Sequence, residues 1–189
     1  MKVETLEIFG FYSTIVKALR LPFKGQHKSD TYVEDLKYPV QNDSNFMMGG
    51  YAIKIGPNDL RLLSNLVLNG DEHAKAVRGI IVSAEIDAPR YWWQEMDTYR
   101  VGTDRLSSES TMHCEAKGLS GEELQKVKAE LKEGHVQRRD QIFSYQTLRR
   151  IYFQRKSHRL PEWHTFCEWI EQLPLSKQLI IISKGEKNV

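Results

Sequence analysis

Ile80-Ile81-Val82-Ser83-Ala84-Glu85-Ile86-Asp87-Ala88-Pro89-Arg90-Tyr91-Trp92-Trp93-Gln94-Glu95-Met96-Asp97-Thr98-Tyr99-Arg100 changes its period half-way along. As far as Asp87, Ile80, Val82, Ala84 and Ile86 alternate with Ile81, Ser83, Glu85 and Asp87, the mark of a strand with one face in a core. Pro89 ends that strand and opens a helix on which Trp92, Met96 and Tyr99 recur at helical spacing. Two of the four tryptophans stand here beside Gln94, Glu95, Asp97 and Arg100. One of the pair is expected in the core, because aromatics at helical spacing pack there. Beyond the helix, Ser107-Ser108-Glu109-Ser110-Thr111-Met112-His113 offers hydroxyls, a carboxylate and an imidazole within seven residues. That composition suits a hydrogen-bonding loop around a polar ligand. The plainer reading is an amphipathic helix followed by a solvated loop.

Toward the N-terminus, Val3 to Phe9 alternates as a strand, and Ile15, Ala18 and Leu19 suggest a short helix ended by Pro22. Lys24 to Gly50 is polar and punctuated by Gly25, Asp30, Pro39, Asn42, Asp43 and Gly49-Gly50, so it reads as a long loop able to order over a ligand. Asn58 is the expected N-cap of a helix carrying Leu60, Leu63, Leu66 and Val67 and stopped by Gly70. Toward the C-terminus, Ser120 and Glu123 form a capping box for a helix on Leu124, Val127 and Leu131, closed by Gly134. The stripe Ile142, Tyr145, Leu148, Tyr152 predicts a helix from about Asp140 to Arg155. Pro161 opens a last helix on Trp163, Phe166, Ile170 and Leu173, Pro174 stops it, and Leu179 to Ile182 is the expected closing strand. With no repeat or linker, residues 1–189 read as a single α+β domain with a small central sheet packed by helices.

At 189 residues, 40% hydrophobic and 28% charged, the chain can bury a core of its own. The net charge of +2 is too small to argue for wholesale attraction to nucleic acid or membrane, although Lys117 to Arg159 is locally basic. No apolar run approaches the roughly 20 residues a membrane span needs. Cys114 and Cys167 cannot build a disulfide framework, and no basic-then-apolar leader opens the chain at Met1-Lys2-Val3-Glu4, which makes the cytoplasm the expected compartment. His113-Cys114 and His164 with Cys167 are zinc-binding residue types, yet adjacent ligands rarely reach one ion and no CxxC is present, so no metal is expected. Cys167 lies on an apolar stripe and reads as core.

The order of these motifs resembles the flavin-dependent thymidylate synthases. Asn69-Gly70 ends a helix before a strand that closes on Ala88-Pro89, Thr98-Tyr99-Arg100 stands where the family has Arg-His-Arg, and Ser108-Glu109, Thr111 and His113 follow as the rest of its signature. Leu148-Arg149-Arg150-Ile151-Tyr152-Phe153-Gln154-Arg155, with Trp163 beyond, is similar to the family's LRxFLxLR helix and the tryptophan after it. Only Arg100, Glu109 and Arg155 are unchanged among the strongest positions. Ser144 and Gln146 stand for an Asn-x-Arg flavin contact.

The resemblance implies a homotetramer that binds FAD and deoxyuridylate at subunit interfaces, taking a one-carbon unit from methylenetetrahydrofolate and a hydride from NADPH. It implies catalytic roles for Arg155, Glu109 and Thr111, with Arg155 polarising a pyrimidine carbonyl. Substrate contacts are implied at Glu95, Thr98, Glu109, Ser110, Thr111, His113 and Arg155, and flavin contacts at His73, Thr98, Tyr99, Arg100, Ser108, Ser144 and Gln146. Lost arginines imply weaker phosphate binding, since guanidinium groups match phosphate oxygens best. Arg105, in an apparent insertion, is a candidate to restore charge. Taken without the resemblance, Arg155 reads as a solvated helical arginine. Two other functions compete: a catalytically degenerate relative serving as a nucleotide-binding or assembly module, and a nucleic-acid binder using the basic segment, against which the near-neutral total charge argues.

Overall fold

The computed structural model describes residues 1–35, 47–48 and 51–184. In chain order, β1 spans Lys2–Phe9 and a π-helical turn follows at Ser13–Ala18. β2 (Tyr32–Asp35), β3 (Met47–Met48) and β4 (Tyr51–Lys54) precede α1 (Pro57–Leu68). After a 3-10 turn at Lys75–Gly79 come β5 (Ile81–Pro89), α2 (Arg90–Met96), β6 (Thr103–Ser108) and α3 (Gly121–Glu130). β7 (Val136–Ser144), α4 (Tyr145–Arg155), α5 (Pro161–Gln172) and α6 (Ser176–Leu179) complete the described elements.

The main sheet is antiparallel in the order β1-β5-β7-β6, and a smaller one runs β2-β4-β3. Val82 pairs with Phe143 and Ala84 with Gln141, which puts these residues on the face packed by helices. Ile80, Val82, Ala84, Ile86 and Ala88 are all fully buried, as the alternation requires. The helices bring an aromatic cluster to that face, with Trp92 within 4.8 Å of both Trp93 and Trp163 and 5.4 Å from Phe166. Both Trp92 and Trp93 are fully buried, so the expectation of one core tryptophan understated the packing.

The other face carries the complementary register, Glu85 opposite Asp140 and Asp87 opposite Arg138. Arg138 forks onto Asp87 at 2.7 and 2.9 Å and reaches Glu85 at 3.3 Å. Both edge strands are bulged, β1 between Thr5 and Glu7 and β6 between Arg105 and Ser107. Such interruptions discourage a further strand from pairing with an edge.

The structure corrects several sequence expectations. The helix expected from Asp140 is a strand as far as Ser144, because Ile142 and Tyr145 sit on either side of a strand-to-helix junction that mimics a helical stripe. The closing strand at 179–182 is absent: α6 ends at Leu179, and the Ile180 and Ile182 carbonyls accept from Arg149 at 2.6 and 2.7 Å instead of from a sheet neighbour. Burial, offset in part by Asp71, lowers the pKa of Arg149. The expected loop from Lys24 to Gly50 contains β2 and β3, and its residues 36–46 and 49–50 lie outside the described residues. The N-cap of α1 is Gly56; Asn58 and Asp59 instead donate their backbone N–H groups to the carboxylate of distant Asp30, at 2.9 and 3.0 Å. Ser120 caps α3 in position only, without a side-chain bond. Pro22 sits inside a 3-10 turn at Leu21–Phe23. Tyr99 lies beyond the end of α2.

Candidate functional site

α4 organises the site, because the residues singled out from the sequence fall at its two ends. At the N-terminal end, the Ser144 hydroxyl caps the helix by accepting from the Thr147 N–H at 3.2 Å and contacts the Thr147 hydroxyl at 3.0 Å. Thr147 donates in turn to the Val101 carbonyl, and the Ser144 N–H donates to the Gly102 carbonyl at 2.8 Å. This stitches residues 101–102 onto the helix start. Gly102 adopts φ +76°, and a Cβ there would fall 2.3 Å from the Thr147 hydroxyl oxygen. Only glycine fits both demands.

These contacts form the rim of a groove of about 390 Å³. Its floor is apolar, from Ile81 and Ile142, while the buried Phe143 ring packs on the helix side against Phe166 and Trp169, and its polar lining comprises Arg78, Thr103, Asp104, Ser144, Gln146 and Thr147. Gln146, 7% exposed, is fixed at both ends: its Oε1 accepts from Arg78 Nε at 2.5 Å and its Nε2 donates to the Asp71 carbonyl at 3.0 Å. That arrangement holds the Arg78 guanidinium at the groove wall.

Nine residues further, about 14 Å along the axis at 1.5 Å per residue, Arg155 closes α4 in a polar corner. Its Nε donates to the Tyr99 hydroxyl at 2.8 Å and its Nη1 to Glu95 Oε2 at 2.6 Å. The same Glu95 oxygen accepts from the Trp163 indole at 2.9 Å and lies 3.6 Å from His158 Nε2. The guanidinium stacks over Trp163, 4.5 Å from the ring centre, a cation–π contact. Arg155 is therefore no solvated helical arginine; its side chain is 18% exposed. The stretch Tyr99 to Gly102 links corner and groove, with Tyr99 in one and Gly102 in the other.

No protein-family model matches the chain, and no curated protein matches it by sequence. Solved structures do match. The flavin-dependent thymidylate synthase ThyX from Helicobacter pylori, complexed with FAD and dUMP, superposes with a TM-score of 0.67 at 15% identity, covering 96% of this chain and 98% of that one. A second structure of it with the same ligands gives 0.67 at 13% identity over the same shares. The chain has the fold of the flavin-dependent thymidylate synthases. A UMP/dUMP methylase, PolB from Streptomyces cacaoi bound with 5-Br dUMP, shares this thymidylate synthase fold at a TM-score of 0.62 and 12% identity, covering 94% of this chain and 90% of that one. At such identities the likeness concerns the fold alone.

Of the remaining sequence-derived positions, Thr98 and Arg100 flank Tyr99 beside the corner, and the others belong to neither the corner nor the groove. Glu109 is exposed just past β6, where its carboxylate accepts from the Arg138 N–H at 2.9 Å. Ser108 ends β6, so Ser107 and Ser108 belong to an edge strand and not to the expected loop. Ser110 opens a run of turns, its carbonyl accepting from the His113 and Cys114 N–H groups, and Thr111 accepts from Lys128. Thr98 donates to the Glu95 carbonyl at 2.7 Å, while His73, Arg100, Arg105 and His113 are exposed. The structure thus joins Glu95, Tyr99 and Arg155 at one place and Ser144 and Gln146 at another.

Arg78 and His158 were missed. Arg78 is 68 residues from its partner Gln146, and nothing local in the sequence signals that contact. Among the described residues no group of three His, Cys, Asp or Glu side chains is placed to hold a metal ion. Cys167 is buried, and burial first, with Glu171 and Glu168 adding, pushes its thiol up to about 12, which leaves it inert. Among the described residues no helix is long and apolar enough to cross a membrane.

Proposed function

We propose that the chain is a flavin-dependent enzyme of the thymidylate synthase type, carrying out reductive one-carbon transfer to a pyrimidine deoxynucleotide such as deoxyuridylate. The observation that carries this reading is the groove, where Ser144 and Gln146, chosen from sequence for the flavin, meet an arginine and an apolar floor. These residues fit an FAD molecule: Ile81 and Ile142 suit a flat ring, and Arg78 beside the N-terminus of α4 suits a phosphate. The flavin, when bound, supplies the redox capacity of the reaction, with NADPH and methylenetetrahydrofolate as co-substrates.

Arg155 has the chemistry to polarise a pyrimidine carbonyl. Two of the five guanidinium N–H donors are used, on Tyr99 and Glu95, and the rest remain for a ligand oxygen. Glu95 sets the plane of the guanidinium, and Trp163 walls one side of it, lowering access of water. Glu109, Ser110, Thr111 and His113 are assigned to ribose and phosphate, with Glu109 and Thr111 in catalytic contact. Because they lie away from Arg155 on the same chain, this assignment requires a second copy to complete the site, in keeping with a homotetramer. His73, Thr98, Tyr99, Arg100 and Ser108 are assigned to the flavin at the same interfaces, and the cytoplasm to the enzyme.

The alternative is a catalytically degenerate relative that binds a nucleotide or serves as an assembly module. It is favoured by one observation, that Arg155 is engaged by Glu95 and Tyr99 within its own chain. The two readings separate in an assay of the purified protein with FAD, NADPH, methylenetetrahydrofolate and deoxyuridylate. Formation of thymidylate supports the enzyme; flavin or nucleotide binding without turnover supports the module.

A further inference from the structure

On the side of α1 away from the core, Asn58, Arg61 and Asn65 follow one another at spacings of three and four residues, so they share a stripe. With Arg20, Lys28 and Leu62 they line a second cavity, of about 410 Å³. None of these residues belongs to the groove or to the Arg155 corner. The volume falls in the range of about 300–1,000 Å³ typical of small-molecule sites.

The cavity is built around an arginine that the interior holds in place. Arg20 Nε donates to Asp59 Oδ1 at 2.5 Å, and Asp59 is fully buried. Asp59 also accepts from the Ser29 hydroxyl at 2.5 Å and the Thr31 N–H at 3.3 Å. Three donors on one buried carboxylate fix the plane of the guanidinium. Among the described residues the terminal nitrogens of Arg20 have no hydrogen-bond partner, which leaves the end of the fork for a ligand.

The surrounding charge is one-sided. From Tyr12 to Ser29 the chain contains Lys17, Arg20, Lys24 and Lys28 and no acidic residue. The nearest acidic group in sequence, Asp30, is engaged by the N–H groups at the start of α1. Arg61 donates to the Asn58 side-chain oxygen at 3.2 Å, which leaves the Asn58 amide nitrogen to serve as a donor. Three cations and two amides thus line one cavity, and the nearby carboxylates, buried Asp59 and Asp30 at the start of α1, leave the positive charge in excess.

We propose that this cavity is an anion site, separate from the flavin groove, that takes a phosphate dianion, either free or carried on a small organic molecule. A rigid arginine fork, an exposed lysine and amide donors match the oxygens of such a group. The proposal rests on neither the flavin nor the nucleotide.

The test is isothermal titration of the full chain with inorganic phosphate and, separately, with ribose 5-phosphate, compared with the double variant Lys28→Ala, Arg61→Ala. Both residues are exposed, so the variant is expected to fold, which circular dichroism and its melting temperature check. Saturable binding that weakens about tenfold or more in the double variant is expected, from the loss of two charge-assisted contacts. Tighter binding of ribose 5-phosphate marks an organic carrier as the source; equal or tighter binding of inorganic phosphate marks the free ion. Absence of saturable binding by both probes below about 10 mM, or equal affinity of the double variant, overturns the proposal.

Discussion

The corner around Arg155 and the groove around Arg78 lie at opposite ends of one helix and share the connecting stretch from Tyr99 to Gly102, yet they use their polar groups in opposite ways. In the corner, guanidinium, carboxylate, phenol and indole bond to one another, with Glu95 Oε2 accepting from both Arg155 and Trp163. In the groove, Gln146 is fully engaged so that Arg78 and an apolar floor are presented to open space. The difference teaches how one helix can hold two arginines for different work. Arg155 keeps three of its five N–H donors for a ligand in a corner whose geometry Glu95 and Tyr99 fix, whereas Arg78 stands at the wall of a cavity.

The comparison can be broken at the residue both regions share. Gly102→Ala puts a methyl group against Thr147 at a left-handed backbone position, and is expected to cost about 2–3 kcal/mol from backbone strain and overpacking. Urea denaturation reads the loss, and flavin binding should fall with it because the groove rim moves.

A sharper separation comes from Glu95→Ala, which leaves Arg155 without its counter-charge and the Trp163 indole without its acceptor. The expected cost is about 1–2 kcal/mol, reduced from the value for a fully buried pair because Glu95 is one-third exposed. Flavin affinity at the other end of α4 should be unchanged; a large fall there would merge the two regions into one.

Arg78→Ala is the converse test. Stability should fall by about 1 kcal/mol, because the Oε1 of buried Gln146 loses its donor, while FAD affinity falls about tenfold, near 1.4 kcal/mol. Fluorescence titration of the flavin measures the second quantity and chemical denaturation the first.

The smallest effect belongs to the open face of the sheet. The hydrogen bond and charge of Arg138 hold the Asp87 carboxyl below the ordinary carboxylate range, against a smaller opposing effect of burial. A lowered carboxylate contributes stability that is complete above its unfolded value near 3.9 and is lost as pH falls through its folded value. Asp87→Asn should therefore cost under about 1 kcal/mol between pH 5 and 7. The difference from the wild type should shrink below about pH 4. A difference that stays constant into acid would remove the ion pair from the account.

How much of this was legible in the sequence depended on whether a residue's partner was local. β5 was readable because Ile80, Val82, Ala84 and Ile86 alternate, and α5 because Trp163, Phe166 and Ile170 keep helical spacing behind Pro161. β6 was not, since Thr103-Asp104-Arg105-Leu106-Ser107-Ser108 is an exposed, bulged edge strand with no apolar alternation to reveal it. Ile142 and Tyr145 were misassigned to one helix because a strand and a helix meet at Ser144 with their buried residues in phase. The tail from Leu179 to Ile182 was apolar enough for a strand, but Arg149 satisfies its carbonyls from α4. The same divide runs through the site. Ser144, Gln146, Glu95, Tyr99 and Arg155 were legible through a resemblance of motifs. The pairing of Arg155 with Glu95 across 60 residues, and of Arg78 with Gln146 across 68, are products of the fold that no local pattern announces.

The most direct test of the central claim is a titration of the purified protein with FAD, followed by visible absorption and then by addition of deoxyuridylate. The account predicts saturable flavin binding, a spectrum perturbed by the nucleotide, and weaker binding of FAD by Arg78→Ala. Failure of the wild type to bind flavin, or an Arg78→Ala protein that binds it as well as the wild type, would contradict the assignment of the groove.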